Sequence, residues 1–394
     1  RTGLTVAATV FAVVVVVFFV ALADGVHEKM IDDSVRVHSG HLSVSGERYL
    51  ENRTLEEFVR LDAQVEEILE TTEGVLGFAP RVNSFALLSA DETTHGVAVI
   101  GVDPDRESSV STLAQRVRHG SFVSTDQPNG IVLGGRLARR LSTEVGAELL
   151  LYSAAYTLET AYDLFTVVGI SKLPDPELDR NLAVISLRDA QRFFEYGDRV
   201  SEIAVLAADS KAAAGVAETL RSRIGAYQSL EVHTWKEIMP DLAQFIFLDD
   251  AGMYVMLVIL VVVVAFGIFN TILMSVLERQ REFGVLLALG LRPRALFRLV
   301  FVESLLLAGV GLSIGLVAGL TFVLYLQANP IPLTDEGLMA AFELIGAEPV
   351  VTWKLAPANP LVSTITVFAV AVAAAVYPAI KASRGRPVDV LRGL

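Results

Sequence analysis

Few residues of this 394-residue chain have types and spacings that could do chemistry. His38 and His41 stand three apart in a segment that reads as a strand. Alternate strand residues face opposite sides, so the pair cannot share a metal ion. Asp175, Glu177 and Asp179 in LPDPELD suggest a cation loop, but the further ligands and the glycine of an EF-hand are missing, and the stretch reads as a solvated proline loop. The one G-x-S-x-G, Gly311-Leu312-Ser313-Ile314-Gly315, lies inside an apolar run rather than on a strand-to-helix turn, and no G-x-x-x-x-G-K-[ST] occurs, so the chain has no phosphate loop of its own. With no cysteine, thiolate metal sites and disulfides are impossible. The reading is therefore no catalytic residue, no metal and no enzyme. Two polar residues inside apolar runs remain. Glu303 lies one turn into the run 299–326, placed to pair with Arg298 or an arginine just upstream. Asn270 lies inside the run 252–276, placed to line a cavity or bond a neighbouring helix. An ionisable side chain in a span is a functional candidate by default.

Those two residues flank the most telling stretch, LERQREFGVLLALGLRPRALFR at 277–298. Arg279, Arg281, Arg292, Arg294 and Arg298 face only Glu278 and Glu282, in a chain of net charge −13. A short loop with that bias between two spans belongs on the cytoplasmic side. Phe283, Leu286 and Leu287 recur at helical spacing, and Gly290 then Pro293 close the pattern. This predicts a short helix on the membrane surface that offers a mixed face, including Glu278, Arg279, Arg281, Glu282 and Arg292, to a cytoplasmic partner.

The elements that position it are apolar. Residues 1–23 form a first span, 251–276 a second, 299–326 a third and 361–380 a fourth, each about 30 Å or more as a helix. Hydrophobic residues make up 53% of the chain, more than a soluble protein carries. Ala21-Leu22-Ala23 resembles a signal-peptidase site, but the first run is longer than a signal core. Arg1 alone precedes it, which suggests that a basic segment lies upstream. The third span carries Gly311, Gly315 and Gly319 at intervals of four, a small-residue ridge for close approach by another helix. Residues 327–360 hold four acids and one lysine and are broken by Pro330, Pro332, Pro349, Pro357 and Pro360, which fits an outside loop. The tail 381–394, with Lys381, Arg384, Arg386 and Arg392 against Asp389, fits the inside.

Residues 24–250 hold 37 acids against 21 lysines and arginines. That balance opposes nucleic-acid binding and adhesion to anionic lipid. The periodicity reads as an α/β domain of two strand–helix–strand halves, interrupted over about 103–179 by an inserted lobe with loops at 154–163 and 173–179. Thr54 and Glu57 read as a capping box opening a helix at 54–72.

ERQREFGVLLALGLRPR, followed by an apolar span that opens with Glu303 and contains the glycine ridge, resembles the FtsX/MacB-type ABC-transporter permeases. The order of one span, a large outer domain and three spans is similar too. SGHLSVSGERYLENRTLEE, GVDPDRES at 101–108 and IVLGGRLARRL at 131–141 resemble the lipoprotein-releasing, LolC/LolE-type branch. The resemblance implies an α-helical membrane protein with four transmembrane helices and an extracytoplasmic α/β domain, a porter-like core with an inserted lobe. It implies a permease subunit in the bacterial inner membrane, multi-pass, with its large domain in the periplasm or outside. The 277–298 loop would carry the coupling helix, docked on a separate cytoplasmic ATPase, two copies of which bind ATP and Mg; this chain holds no cofactor. The glycine ridge would pack on a second permease subunit, identical or paralogous. Outside partners would be a periplasmic lipoprotein carrier or adaptor. Lipoprotein extraction would need a greasy cleft, for which Val14, Phe18, Met253, Met256, Leu257 and Leu260 supply an uncharged lining. The alternatives are a MacB-like tripartite efflux permease and an FtsX-like regulator of an extracytoplasmic hydrolase.

Overall fold

The computed structural model describes residues 2–90, 93–225, 230–339, 350–356 and 359–384. In chain order the elements are α1 (Thr2–His38), β1 (Leu42–Gly46), α2 (Tyr49–Asn52), β2 (Val59–Arg60), α3 (Ala63–Thr71), β3 (Val75–Ala90), β4 (Thr93–Val102), α4 (Pro104–Val110), β5 (Val117–Gly120), β6 (Gly130–Gly134), α5 (Gly135–Arg140), β7 (Glu148–Ala154), β8 (Thr160–Ser171), α6 (Pro176–Asn181), β9 (Leu182–Ser186), α7 (Leu187–Phe193), β10 (Arg199–Val200), β11 (Glu202–Ala207), α8 (Ala213–Ile224), β12 (Leu230–Thr234) and α9 (Trp235–Ile238). Then follow α10 (Pro240–Glu278), α11 (Gln280–Ala288), α12 (Pro293–Ala328) and α13 (Asn359–Ser383). The chain divides into two compact units. One comprises Arg1–His27, Ile246–Pro332 and Val350–Leu394, the other Glu28–Phe245 and Leu333–Pro349.

The second unit is built on a ten-stranded sheet of order β12-β1-β11-β3-β4-β9-β6-β8-β5, with β7 bridging β3 and β8. Its first four strands, with α3 after β1 and α8 after β11, form a split βαβ arrangement of two strand–helix–strand halves. The helices α3 and α8 pack on each other, α3 also on β3 and α8 on β12. What lies between the halves is wider than the expected 103–179. β4 pairs with β3 along its whole length and with β9 in parallel, and β9 pairs with β6, so β4 and β9 belong with the middle strands. The middle is also no separate lobe, because the sixteen-residue β3 gives its first half to β11 and its second half to β4 and β7. One continuous core of Val82, Leu88, Val99, Leu133, Phe165 and Ile185 fills that end.

Local capping explains the other departures. The expected helix over 54–72 forms only from Ala63, because the Asp62 carboxylate accepts from the Gln64 and Val65 amides. Leu55 and Phe58 instead pack against the core of the middle strands, and Val59–Arg60 pairs with β10. The loop expected at 154–163 is a hairpin whose strands end at Ala154 and resume at Thr160. The proline loop at 173–179 is neither solvated throughout nor a cation loop. Asp175 caps α6, and Asp179, 4% exposed, accepts from the amides of Gly135, Arg136 and Leu173.

Among the described residues of the other unit, the long helices α1, α10, α12 and α13 are apolar enough to cross a membrane. The segment 350–356 runs along α1: Thr352 donates to the Gly25 carbonyl at 3.0 Å and the Lys354 amide to the Ala21 carbonyl at 3.0 Å. A side chain at Gly25 would strike the Thr352 backbone, which is why glycine stands there. Pro349, Pro357, Arg386, Asp389 and Arg392, which bore on the topology expected from sequence, lie outside the described residues.

Candidate functional site: the α11 platform and the glycine seam

The loop between α10 and α12 folds as expected into a short helix, and its end is set by one glycine. Gly290 takes φ +96°, while the Leu291 amide reaches the Leu286 carbonyl at 3.0 Å and the Gly290 amide the Leu287 carbonyl at 3.1 Å. Pro293 then opens α12, where its missing N–H costs nothing.

The helix is bolted to the bundle by one ion pair and one aromatic ring. Arg279 Nη1 lies 2.5 Å from Glu303 Oε1 and Arg279 Nε lies 3.1 Å from Glu282. The partner of Glu303 is thus Arg279 rather than Arg298. A cavity of about 20 Å³ adjoins the pair, lined by Thr5, Ser275 and Ser304 as well. The Phe283 ring, 3% exposed, packs among Ile272, Val276, Leu296, Val300, Ala375 and Ala379, with Leu287 beside it. The guanidinium of Arg279 stands 5.2 Å from that ring's centroid.

This corrects the assignment of faces. Phe283 and Leu287 turn into the bundle and are not available to a partner. Val285, Leu286 and Leu289 are the exposed apolar residues of α11 and its cap, ringed by exposed Glu278, Arg281, Glu282, Gly290 and Arg292. Two apolar faces share nine residues, and sequence spacing alone does not say which one is covered.

The glycine ridge of α12 also has its partner within the chain. A Cβ on Gly311 would lie 2.7 Å from Thr9 Cβ, one on Gly315 2.8 Å from Val13 Cβ, and one on Gly319 3.3 Å from Val14 Cα. The seam is α1 on α12, not one subunit on another. Thr9 serves it without a polar cost, since its hydroxyl donates to the Thr5 carbonyl at 3.0 Å.

Of the residues expected to line a lipid cleft, Phe18, Leu257 and Leu260 meet in one cluster and the others lie apart from it. Val14 lies in the seam. Phe18 stacks on Phe322 at 6.0 Å and tilts against Trp353 at 5.8 Å. Leu257 and Leu260 pack against the same cluster as Phe18. Met253 is half-buried, and Met256, 53% exposed, faces outward. Asn270 is exposed on α10.

Sequence reading missed His27, whose Nδ1 lies 2.8 Å from Asp250 Oδ1 and whose Nε2 faces Asp249, tying α1 to α10. Its signal was the pair of aspartates that bounds the second span. In the other unit it missed Arg81 and Glu107. Arg81 is fully buried, with Nε 3.2 Å and Nη2 2.5 Å from the Glu107 carboxylate. Burial opposes the Arg81 charge, but Glu107 outweighs it and holds the pKa above the usual arginine value. It also missed an uncovered sheet surface. Phe85 and Leu87 on β3, Tyr152 on β7, and Tyr162 and Leu164 on β8 are 45–71% exposed on cross-strand neighbours.

The comparisons with known proteins bear directly on this arrangement. The MacB-like periplasmic core domain matches residues 2–223, more than half of the chain, and the FtsX-like permease C-terminal matches residues 254–387. The chain belongs to the MacB/FtsX family of ABC-transporter permeases. Within it, the chain is 29% identical over 332 residues to the lipoprotein-releasing system transmembrane protein LolC of Xylella fastidiosa, covering 82% of this chain and 79% of the relative. It is 24% identical over 338 residues to LolE of Haemophilus influenzae, covering 83% and 80%. It is 32% identical over 128 residues to the macrolide export ATP-binding/permease protein MacB of Rhodopirellula baltica, covering 32% and 16%. As a member of this family the protein is a membrane permease with an extracytoplasmic domain that works with an ATPase partner.

Proposed function

We propose that this permease couples a separate cytoplasmic ATPase, two copies per complex, to the extraction of lipoproteins from the outer leaflet of the bacterial inner membrane. The observation that carries the coupling is the mounting of α11. One side is fixed by Phe283, Leu287 and the Arg279–Glu303 pair, while the other presents Val285, Leu286 and Leu289 within a charged rim. A push on the exposed side is transmitted because the buried side cannot slip. The arginine-rich loop and the acidic outer domain support a cytoplasmic α11, two cytoplasmic termini and a periplasmic domain. The relatives named for lipoprotein release support the substrate. The dimer partner, identical or paralogous, has the exposed surface of α10, including Asn270, as its contact, since the glycine seam is occupied within the chain. The exposed sheet face of Phe85, Leu87, Tyr152 and Tyr162 suits a periplasmic protein, a lipoprotein carrier here or an adaptor in the efflux reading. The local identity to a macrolide exporter favours that second reading.

Two experiments test this. Leu286→Asp should abolish co-purification with the ATPase while leaving the thermal midpoint of the permease near the parent value; unchanged association and turnover would remove α11 from the coupling path. Photo-crosslinkers at Met256 should capture a lipoprotein without ATP and release it when ATP and a carrier are added. Capture at Tyr162 alone, with Met256 silent, would leave efflux as the better account.

A further inference from the structure

The polar face of the outer sheet makes a cavity that neither coupling nor extraction uses. Along β1, Leu42 and Val44 are buried on one face, while Ser43 and Ser45 lie on the other. Strand register carries the second face across the sheet: Ser43 stands opposite His233, Ser45 opposite Glu202, and Glu202 opposite Arg81, with Asn83 next along β3. Packing alone would favour apolar residues there. Instead the face borders a cavity of about 110 Å³, lined among others by Ser43, Tyr49, Arg53, Asn83, Glu202 and His233. That is room for several waters or for a ligand of a few heavy atoms.

The hydrogen bonds of this network leave one acceptor unpaired among the described residues. The Glu202 carboxylate, 7% exposed, accepts from Ser43 Oγ at 2.7 Å and from Asn83 Nδ2 at 2.8 Å. The same Asn83 Nδ2 donates to the Tyr49 hydroxyl at 3.3 Å. A carboxylate can only accept, so the amide nitrogen must face Glu202, and this fixes the side-chain orientation. Asn83 Oδ1 is then a buried acceptor with no hydrogen-bond partner among the described residues. A buried acceptor left unmade is costly, and a donor brought by a ligand would relieve it. The charge points the same way. The buried groups Arg81, Glu107 and Glu202 comprise two carboxylates and one guanidinium, which is bonded to Glu107 and attracted by Glu202 as well, so the three together carry one negative charge in excess.

We propose that this cavity binds a small primary ammonium compound, whose N–H donates to Asn83 Oδ1 and whose charge is balanced by Glu202. The Ser43 and Tyr49 oxygens accept its remaining hydrogens. Arg53, exposed at the wall, meets an anionic substituent where the ligand carries one. The shared chemistry is the primary ammonium; a free aminoalkyl compound and an aminoalkyl phosphate are its two sources.

Calorimetric titration of the full chain in detergent separates these outcomes, with ethanolamine, O-phosphoethanolamine, choline and phosphocholine as probes. Ethanolamine should saturate one site, at least tenfold tighter than choline, which carries the charge but has no ammonium hydrogen to donate. Glu202→Gln should weaken ethanolamine at least tenfold. A tighter fit of O-phosphoethanolamine that Arg53→Ala cancels identifies the phosphate source, and equal affinity for the two identifies the free amine. Equal binding of choline and ethanolamine, or no saturable binding of either amine at millimolar concentration, overturns the proposal. Should Glu202→Gln fail to fold, the methylated and unmethylated probes on the unaltered chain still decide it.

Discussion

The two units lean on different devices for most of their buried polarity, although the helical unit too answers one buried group, His27, with Asp249 and Asp250. In the outer domain whole charges are buried and answered by partners: Arg81 by Glu107, the Asp179 carboxylate by three amides, the Glu202 carboxylate by Ser43 and Asn83. In the helical unit the buried polar groups include hydroxyls that bond back to their own helix, Thr9 to Thr5 and Ser304 to Val300. There the specific fit comes from what is missing, the side chains of Gly311, Gly315 and Gly319. In water a domain can gain uniqueness from paired charges at the expense of stability. In lipid, where apolar burial between helices gives little drive, close backbone approach has to supply it. The outer domain should therefore be most sensitive to lost partners, and the helical unit to added volume.

The sharpest way to break that contrast is Glu107→Ala. It leaves the Arg81 guanidinium buried without its carboxylate and should cost about 3–5 kcal/mol. Denaturant or thermal unfolding followed by outer-domain fluorescence checks it, and a loss below about 1 kcal/mol would mean that the site admits water. Next is Gly315→Leu, whose first added atom already falls within 3.0 Å of the Val10 carbonyl. Overpacking of this kind typically costs about 1–3 kcal/mol. The paired control is Gly309→Leu, where nothing lies within 4 Å and the thermal midpoint should hold. Equal effects at the two glycines would show that the seam is not specific.

The smallest expected effect is a pH dependence. His41 is 3% exposed, and burial pushes its pKa below the ordinary 6.5 against the pull of Asp32 and Asp209. The unfolded chain then binds more protons than the folded one between that lowered pKa and 6.5. The stability is present in full above 6.5 and is lost as the pH falls through the folded pKa. His41→Gln should flatten this slope in thermal midpoints read between pH 7 and 5. An unchanged slope assigns the dependence to another group.

Legibility in the sequence follows the same division. The long helices could be read from composition, and the end of α11 from Gly290 and Pro293, because both depend on local physics. The ridge on α12 was equally plain, but its partner was not: Thr9 and Val13 look like any residues of an apolar run. In the outer domain Asp62 outcompeted Thr54 as a cap, a contest between two good candidates that the unpaired segment after Arg53 decides. The width of the middle segment escaped notice because β3 is one strand with two sets of neighbours, and a hydrophobic alternation does not record who pairs with it. Ser43, Asn83 and Glu202 are far apart in the chain, and only strand register brings them to one cavity.

The seam between α1 and α12 also has a history in time. Its two sides are made far apart in synthesis, with the whole outer domain between them. At about 5–20 residues per second, the first helix waits on the order of tens of seconds in the bilayer before its partner leaves the ribosome. It must endure that interval without its seam partner. The mean hydropathy of the four spans falls in chain order, so the helix that waits longest is the one most content in lipid. Its Thr9 hydroxyl is already bonded within its own helix. The later, less apolar spans arrive when there is protein to lean on, and the glycines of α12 let a later-made surface close over an earlier one.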